Sequence, residues 1–146
     1  MAHKPLPPLP ARNTAAALHQ AYLRLAAAIN AATHAHDPRT RAAHATVFIQ
    51  MEPDGIRLTR LAEKAVMTPQ AMGELVDDLE RLGYLRRVPD PADRRAKLIL
   101  FTDQGVEALE VAFAAIGDVE RRLAGELGDD TVAELNRTLA RIVATD

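Results

Sequence analysis

The segment from residue 58 to residue 101 constrains the fold of this 146-residue chain more than any other. It contains two short stretches with helical spacing, joined by a tight turn, and then two strand-like runs, Tyr84–Val88 and Lys97–Phe101, that alternate or are apolar. The loop between these runs, Pro89–Arg95, ends in two arginines. This order predicts a helix-turn-helix followed by a two-stranded hairpin with a basic tip. Because such a helix fits the DNA major groove and such a hairpin reaches the neighbouring minor groove, the segment predicts a winged DNA-binding unit.

Length and composition exclude several classes of protein. A chain of 146 residues is long enough for one domain with a real core. It has no cysteine, which excludes disulfides, thiol catalysis and cysteine-based zinc sites. No apolar run approaches the roughly 18 residues of a membrane helix, and Met1–Pro10 has no apolar core typical of a secretory peptide. We therefore expect a cytoplasmic protein without a membrane partner.

The net charge of -2 is unevenly distributed. Residues 83–101 carry 5 basic and 2 acidic side chains and residues 1–50 carry 5 and 1, whereas residues 102–146 carry 4 and 10. Residues 51–82, which include the second helix of the predicted helix-turn-helix, carry 4 basic and 7 acidic side chains. A polarised chain of this kind can bind a polyanion with one face, so the total charge decides little.

Capping residues and breaks by glycine or proline divide the chain into six predicted helices. Residues 1–12 are Pro-rich and lack periodicity, so we expect a mobile arm. The first predicted helix runs from the cap Asn13 or Thr14 to about Thr33, the second from Asp37-Pro38 to about Met51, and the third from the cap Thr59 to about Ala65. The fourth begins at the cap Thr68, with Pro69 at its first position, and ends at Gly83. The fifth follows the cap Thr102 over 103–127, and the last follows Gly128-Asp129-Asp130.

The first and last predicted helices carry apolar stripes and lie outside the predicted winged DNA-binding unit. Leu18, Tyr22, Leu25 and Ile29 lie on one side of the first helix, and Val132, Leu135, Leu139 and Ile142 lie on one side of the last. A two-fold partner would bury these stripes and place two recognition helices one DNA turn apart on a pseudo-palindromic duplex. We expect a mainly α homodimer, one domain over 13–146, with a reader lobe at about 37–101, dimerisation helices at about 13–33 and 103–146, and a two-stranded β-wing.

Four short motifs, in this order and spacing, resemble the MarR (multiple antibiotic resistance regulator) family of bacterial repressors. They are Leu58-Thr59-Arg60-Leu61-Ala62-Glu63, Leu75-Val76-Asp77-Asp78-Leu79-Glu80-Arg81-Leu82-Gly83-Tyr84, Asp90-Pro91-Ala92-Asp93-Arg94-Arg95 and Phe101-Thr102-Asp103-Gln104-Gly105. The resemblance implies a dimer built from the terminal helices, a wing held by Asp93, and entry of Arg95 into the minor groove. It also implies small aromatic or phenolic effectors in the cleft between dimer helices and reader.

Two positions depart from the family pattern. Val66 stands where the family commonly has glycine, and a β-branched residue resists positive φ, so we expect a re-shaped turn. Glu74 and Asp78 make the recognition helix acidic where many relatives carry basic or neutral groups. Repulsion from phosphate motivates a second hypothesis, a dimeric interaction protein whose degenerate reader binds DNA weakly or not at all.

The candidate DNA-contacting residues follow from position and chemistry. Gln70 can bond an adenine edge, and Glu74 either accepts from the cytosine amino group or is a solvated surface carboxylate. Gly73 either lets the helix approach DNA closely or is a weak helix position, and Asp93 is both a turn residue and an ion-pair partner for an arginine. The full candidate set is Thr59, Thr68, Pro69, Gln70, Gly73, Glu74, Arg94, Arg95 and Lys97.

Catalysis and metal binding find little support in the sequence. The chain has no serine and no Gly-rich phosphate loop, so we expect neither an enzyme nor a cofactor. His34 and His36 are two residues apart and would diverge on a helix, so we expect no metal site. His19, Tyr22, His44 and Phe48 either line an effector pocket or are ordinary dimer-helix residues. We expect a DNA-binding transcriptional regulator, a repressor released by a small molecule.

Overall fold

The computed structural model describes residues 13–144, which form six helices and one two-stranded antiparallel sheet. The mobile arm expected at 1–12 lies outside the described residues. The mainly α winged helix-turn-helix class is confirmed. The elements in chain order are α1 (Thr14–His36), α2 (His44–Gln50), α3 (Leu58–Lys64), α4 (Pro69–Arg81), β1 (Leu85–Asp90), β2 (Asp93–Phe101), α5 (Asp103–Leu127) and α6 (Asp129–Val143).

Three predicted helix starts are confirmed by hydrogen bonds of the capping side chains. Asn13 Oδ1 accepts from Ala16 N at 3.0 Å, and Thr68 Oγ1 accepts from Ala71 N at 3.2 Å. The Thr102 hydroxyl accepts from the third residue of its helix at 3.0 Å. Each bond satisfies a backbone N–H that the first helical turn leaves without a partner.

The predicted start of the second helix at Asp37 is wrong. Asp37 ends α1, which is longer than expected, and α2 begins only at His44. The Asp37 carboxylate accepts from Arg39 (Nε 3.0 Å) and from the Tyr84 hydroxyl (2.7 Å). Arg39 and then Tyr84 hold the pKa of Asp37 well below its usual range, because both stabilise the charged form. Tyr84, which is distant in sequence, therefore hydrogen-bonds the Asp37 side chain that the local sequence suggests as a helix cap.

Thr59 does not cap α3. The helix begins at Leu58 after Arg57, which makes no side-chain capping bond, so Thr59 lies within the first turn. The turn after α3 is not re-shaped either, because Val66 adopts φ +53. Val66 N donates to Glu63 O (3.0 Å) and Met67 N donates to Ala62 O (2.9 Å), the pair of bonds that normally surrounds a left-handed glycine. Valine thus occupies a conformation that its side chain disfavours.

The main core lies between the two reader helices, the sheet and the start of α5. Its most buried large side chains include Leu61, Met72, Leu79, Tyr84 and Ile99. The predicted inward positions Leu75 and Leu79 are buried, and Leu82 packs against the same cluster. Glycine at position 105 lets α5 approach closely, since a Cβ there would overlap the Tyr84 carbonyl oxygen. The core therefore fixes α4 relative to the sheet.

The hairpin strands are longer than the sequence indicates. Regular pairing runs from Leu85 opposite Phe101 to Pro89 opposite Lys97, and Asp90 then pairs with Asp93. The predicted seven-residue loop Pro89–Arg95 is wrong, because the turn is reduced to residues 91–92 and residues 94–96 bulge from β2. Proline is compatible with pairing here because each strand of a two-stranded sheet is an edge strand.

The long helices α1 and α5 pack against each other within the chain, and α6 packs on α5. The α1 stripe is therefore partly covered without a second subunit: Leu18, Leu25 and Ile29 are half-buried, whereas Tyr22 remains 54% exposed. On α6, Val132 is buried but Leu135 and Ile142 are exposed. Within residues 13–144, no helix is both long and apolar enough to span a membrane.

Candidate nucleic-acid interface

The first turns of α4 present the predicted DNA-contacting side chains to solvent. Thr68, Pro69, Gln70 and Glu74 are all exposed, and Gln70 and Glu74 are one helical turn apart on the same face. Gly73 is half-buried, and a Cβ at this position would meet Leu58 Cδ2 at an ordinary 3.7 Å. The Cβ direction of Gly73 is thus toward α3.

The acidic side chains of α4 are largely neutralised by arginines of the same lobe. Arg87 on β1 binds Asp77 (Nη2 to Oδ1, 2.6 Å) and also Glu80. Asp78 is bound by Arg41, which precedes α2, and by Arg81 on its own helix. In the folded chain, arginines therefore compensate most of the negative charge that suggests a defective DNA-binding helix. The sequence does not indicate these ion pairs, because most of the partners lie outside this helix.

The wing displays its basic residues without strong internal partners. Arg94, Arg95 and Lys97 are exposed, and the Arg95 side chain is 97% accessible. Asp93 Oδ1 accepts from the backbone N of Arg95 at 3.0 Å and lies 3.9 Å from its Nε. Asp93 thus shapes the backbone at the bulge and makes a long ion pair with Arg95.

A second carboxylate, which sequence reasoning missed, ties the wing to α3. Asp90 is buried, accepts from Ala92 N at 2.8 Å, and accepts from Arg57 Nε at 2.7 Å. The Ala92 N–H and the Arg57 guanidinium lower the pKa of Asp90, because both favour its charged form. Arg57 and Asp90 are 33 residues apart with no shared periodicity, so no local signal indicates this contact.

A cavity of about 170 Å³ lies between α1, α2 and α5. Three of the four predicted pocket residues, Tyr22, His44 and Phe48, line it, whereas His19 does not. Apolar side chains form most of the wall, and Asn30, Thr33, Thr40 and Arg41 supply polar groups. The cavity is thus an apolar chamber with a few hydrogen-bonding groups, the usual character of a small-molecule site.

His44 joins this cavity to the recognition helix. Its Nδ1 accepts from Arg41 N at 3.2 Å, and its Nε2 lies 3.7 Å from Asp78 Oδ2. Burial lowers the pKa of His44, so the ring is neutral at neutral pH. Among residues 13–144, no three His, Asp or Glu side chains cluster in a way that could hold a metal ion.

Comparison with known proteins identifies a family that this chain resembles. A model described as MarR family matches residues 41–96. The transcriptional regulator HosA of Escherichia coli O111:H- is 29% identical over 91 residues, covering 62% of this chain and 67% of HosA. The curated alignments thus span about two thirds of those relatives and about three fifths of this chain.

Solved structures of two proteins extend the similarity across the fold. The transcriptional repressor CouR, bound to a 23-mer DNA duplex, matches with TM-score 0.74 and 27% identity over 90% of this chain and 92% of CouR. CouR from Rhodococcus jostii RHA1 has also been solved with p-coumaroyl-CoA. Wild-type MarR from E. coli, 22% identical, matches in fold with TM-score 0.73 over 90% of this chain and 97% of its own. The family model, HosA and CouR together support a MarR-family winged helix-turn-helix transcriptional regulator.

Proposed function

We propose that this protein is a dimeric, sequence-specific DNA-binding repressor that acts by binding, without catalysis. The observation that carries the proposal is the combination of an exposed Gln70–Glu74 face on α4 with an arginine-tipped wing in one lobe. Helices of this kind enter the major groove, and arginine suits the negative potential of narrow minor grooves. The similarity to CouR, which was solved on a DNA duplex, supports the same reading. A regulator of this kind acts on the chromosome, which places it in the cytoplasm.

A homodimer built from the terminal helices completes the proposal. Leu127, Leu135 and Ile142 are large apolar side chains left 38–49% exposed at the end of α5 and along α6. A two-fold partner would cover them and set two reader lobes on a pseudo-palindromic operator. Sedimentation at micromolar concentration should give about twice the chain mass of 15.9 kDa. A monomer at that concentration would contradict the two-lobe arrangement.

The cavity supports release by a small aromatic or phenolic effector. Tyr22 and Phe48 offer ring faces, and His44 and Arg41 offer polar contacts at the side of the cavity nearest α4. CouR, solved with p-coumaroyl-CoA, shows that a similar protein accommodates a phenolic ligand. The alternative function, an interaction protein with a degenerate reader, is weakened because Asp78, one of the two residues that motivate it, and also Asp77 and Glu80 have arginine partners.

Titration against the DNA upstream of the protein's own gene tests the proposal. Wild type should bind specifically, and Arg95→Ala should weaken binding to every duplex while flattening the salt dependence by about one phosphate contact. Arg121→Ala, the same change of charge on α5, is the matched control and should leave affinity and salt dependence unchanged. If wild type binds no duplex above background, the alternative function replaces this one.

A further inference from the structure

Glu74 differs from every other acidic residue of α4 in its surroundings. Asp77, Asp78 and Glu80 each form an ion pair with an arginine. Glu74 is exposed and forms no ion pair with any residue of the described range 13–144. An unpaired carboxylate on the face predicted to meet a polyanion is unfavourable unless it gains a specific partner on binding.

The position of Glu74 gives it access to base edges. The N-terminal residues of a recognition helix contact bases, and Glu74 lies one turn after Gln70 near the start of α4. Neighbouring side chains do not obstruct it, because Gly73 has no side chain and Gln70 is itself exposed. We propose that Glu74 determines base preference by accepting a hydrogen bond from the amino group of a cytosine in the major groove. This inference rests on the proposed DNA-binding function.

The acceptor chemistry of a carboxylate selects cytosine among the four bases. An ionised carboxylate only accepts hydrogen bonds. In the major groove cytosine presents a donor, guanine presents only acceptors, and thymine presents an acceptor and a methyl group. Adenine presents its amino donor beside the N7 acceptor, which would repel the second carboxylate oxygen. Gln70, which can both donate and accept, suits adenine instead.

Selection from a random duplex library separates readout from repulsion. Glu74→Gln keeps the size of the side chain, removes its charge and adds a donor. It should reduce affinity for the wild-type site on the order of 5- to 150-fold and shift the preference at one position per half-site from cytosine toward adenine. Asp77→Asn is the matched control, since it makes the same charge change on α4 at a residue paired with Arg87. It should leave every base preference in place.

The possible outcomes distinguish this inference from the proposed function. If Glu74→Gln binds all duplexes more tightly and enriches the wild-type sequence unchanged, Glu74 only repels phosphate and the inference is overturned while the function stands. A shift that affects a position specifying guanine or thymine on the contacted strand would also overturn it. If wild type enriches no sequence at all, the proposed function fails first. Circular dichroism of both variants verifies that the helical content of the protein is unchanged.

Discussion

Replacing Val66 with glycine should stabilise the protein. Val66 holds φ +53 in the turn between α3 and α4, and its side chain is 94% exposed. The substitution therefore relieves an unfavourable backbone conformation and removes almost no buried surface. Both hydrogen bonds of the turn use backbone atoms, so they persist in the variant.

The size of the effect follows from two opposing contributions. A left-handed conformation costs an L-residue about 1–2 kcal/mol, and a β-branched side chain lies at the upper end of that range. Glycine also lowers the free energy of unfolding by about 0.4–1 kcal/mol, because the unfolded chain gains conformational freedom. The net gain is about 1 kcal/mol, which should raise the Tm by about 2–4 °C for a chain of this size.

Thermal unfolding followed by circular dichroism measures the change, at one fixed protein concentration because the proposed dimerisation would make the Tm concentration-dependent. Val143→Gly is the matched control, since Val143 is equally accessible at 87% but ends a helix, where there is no positive φ to relieve. That control should leave the Tm unchanged or lower it. A Val66→Gly variant that melts no higher than wild type would refute the claim that the turn is strained.

Three further predictions concern other contacts. Burial, and then Asp37, raise the pKa of Tyr84 to about 12, so the contribution of Tyr84 to stability is complete below pH 10 and is lost as the pH rises toward 12. Tyr84→Phe should lower the Tm at pH 7, and in a pH series of melts it should remove that part of the alkaline loss of stability. Gly73→Ala should raise the free energy of unfolding by about 0.5–1 kcal/mol in urea unfolding, because a Cβ there fits without strain, and a lower urea midpoint would contradict this packing. Asp90→Asn should loosen the wing from Arg57 and weaken binding to all duplexes alike by gel shift, whereas an unchanged affinity would show that this ion pair does not position the wing.

Local chemistry made much of the fold predictable. The hydroxyls of Thr68 and Thr102 cap helices because their partners lie three residues away, within the reach of a sequence pattern. Gly83 ends α4 with φ +86 for the same local reason. The order of helices and strands follows from such signals combined with apolar spacing. The candidate DNA-contacting residues on α4 and the wing are exposed, apart from the half-buried Gly73.

The errors arose where a distant residue determines the outcome. Asp37 and Pro38 have the chemistry of a helix start, but Tyr84, 47 positions away, hydrogen-bonds the carboxylate. The tie between Arg57 and Asp90 was missed for the same reason. Val66 shows the converse case, because core packing on both sides of the turn imposes a backbone conformation against the preference of the residue itself. Tertiary contacts supply the energy that overrides the local signal in each case.

Arg87 links the hairpin mechanically to the recognition helix. Its guanidinium binds two acidic residues of α4, and its backbone N–H donates to Glu80 Oε1 at 3.1 Å. Arg41, which precedes α2, holds the same helix through its ion pair with Asp78. The angle between helix and hairpin therefore cannot change without breaking several ion pairs together. In the proposed dimer, a pair of such lobes would bind or release a duplex through a change in the distance between two rigid units.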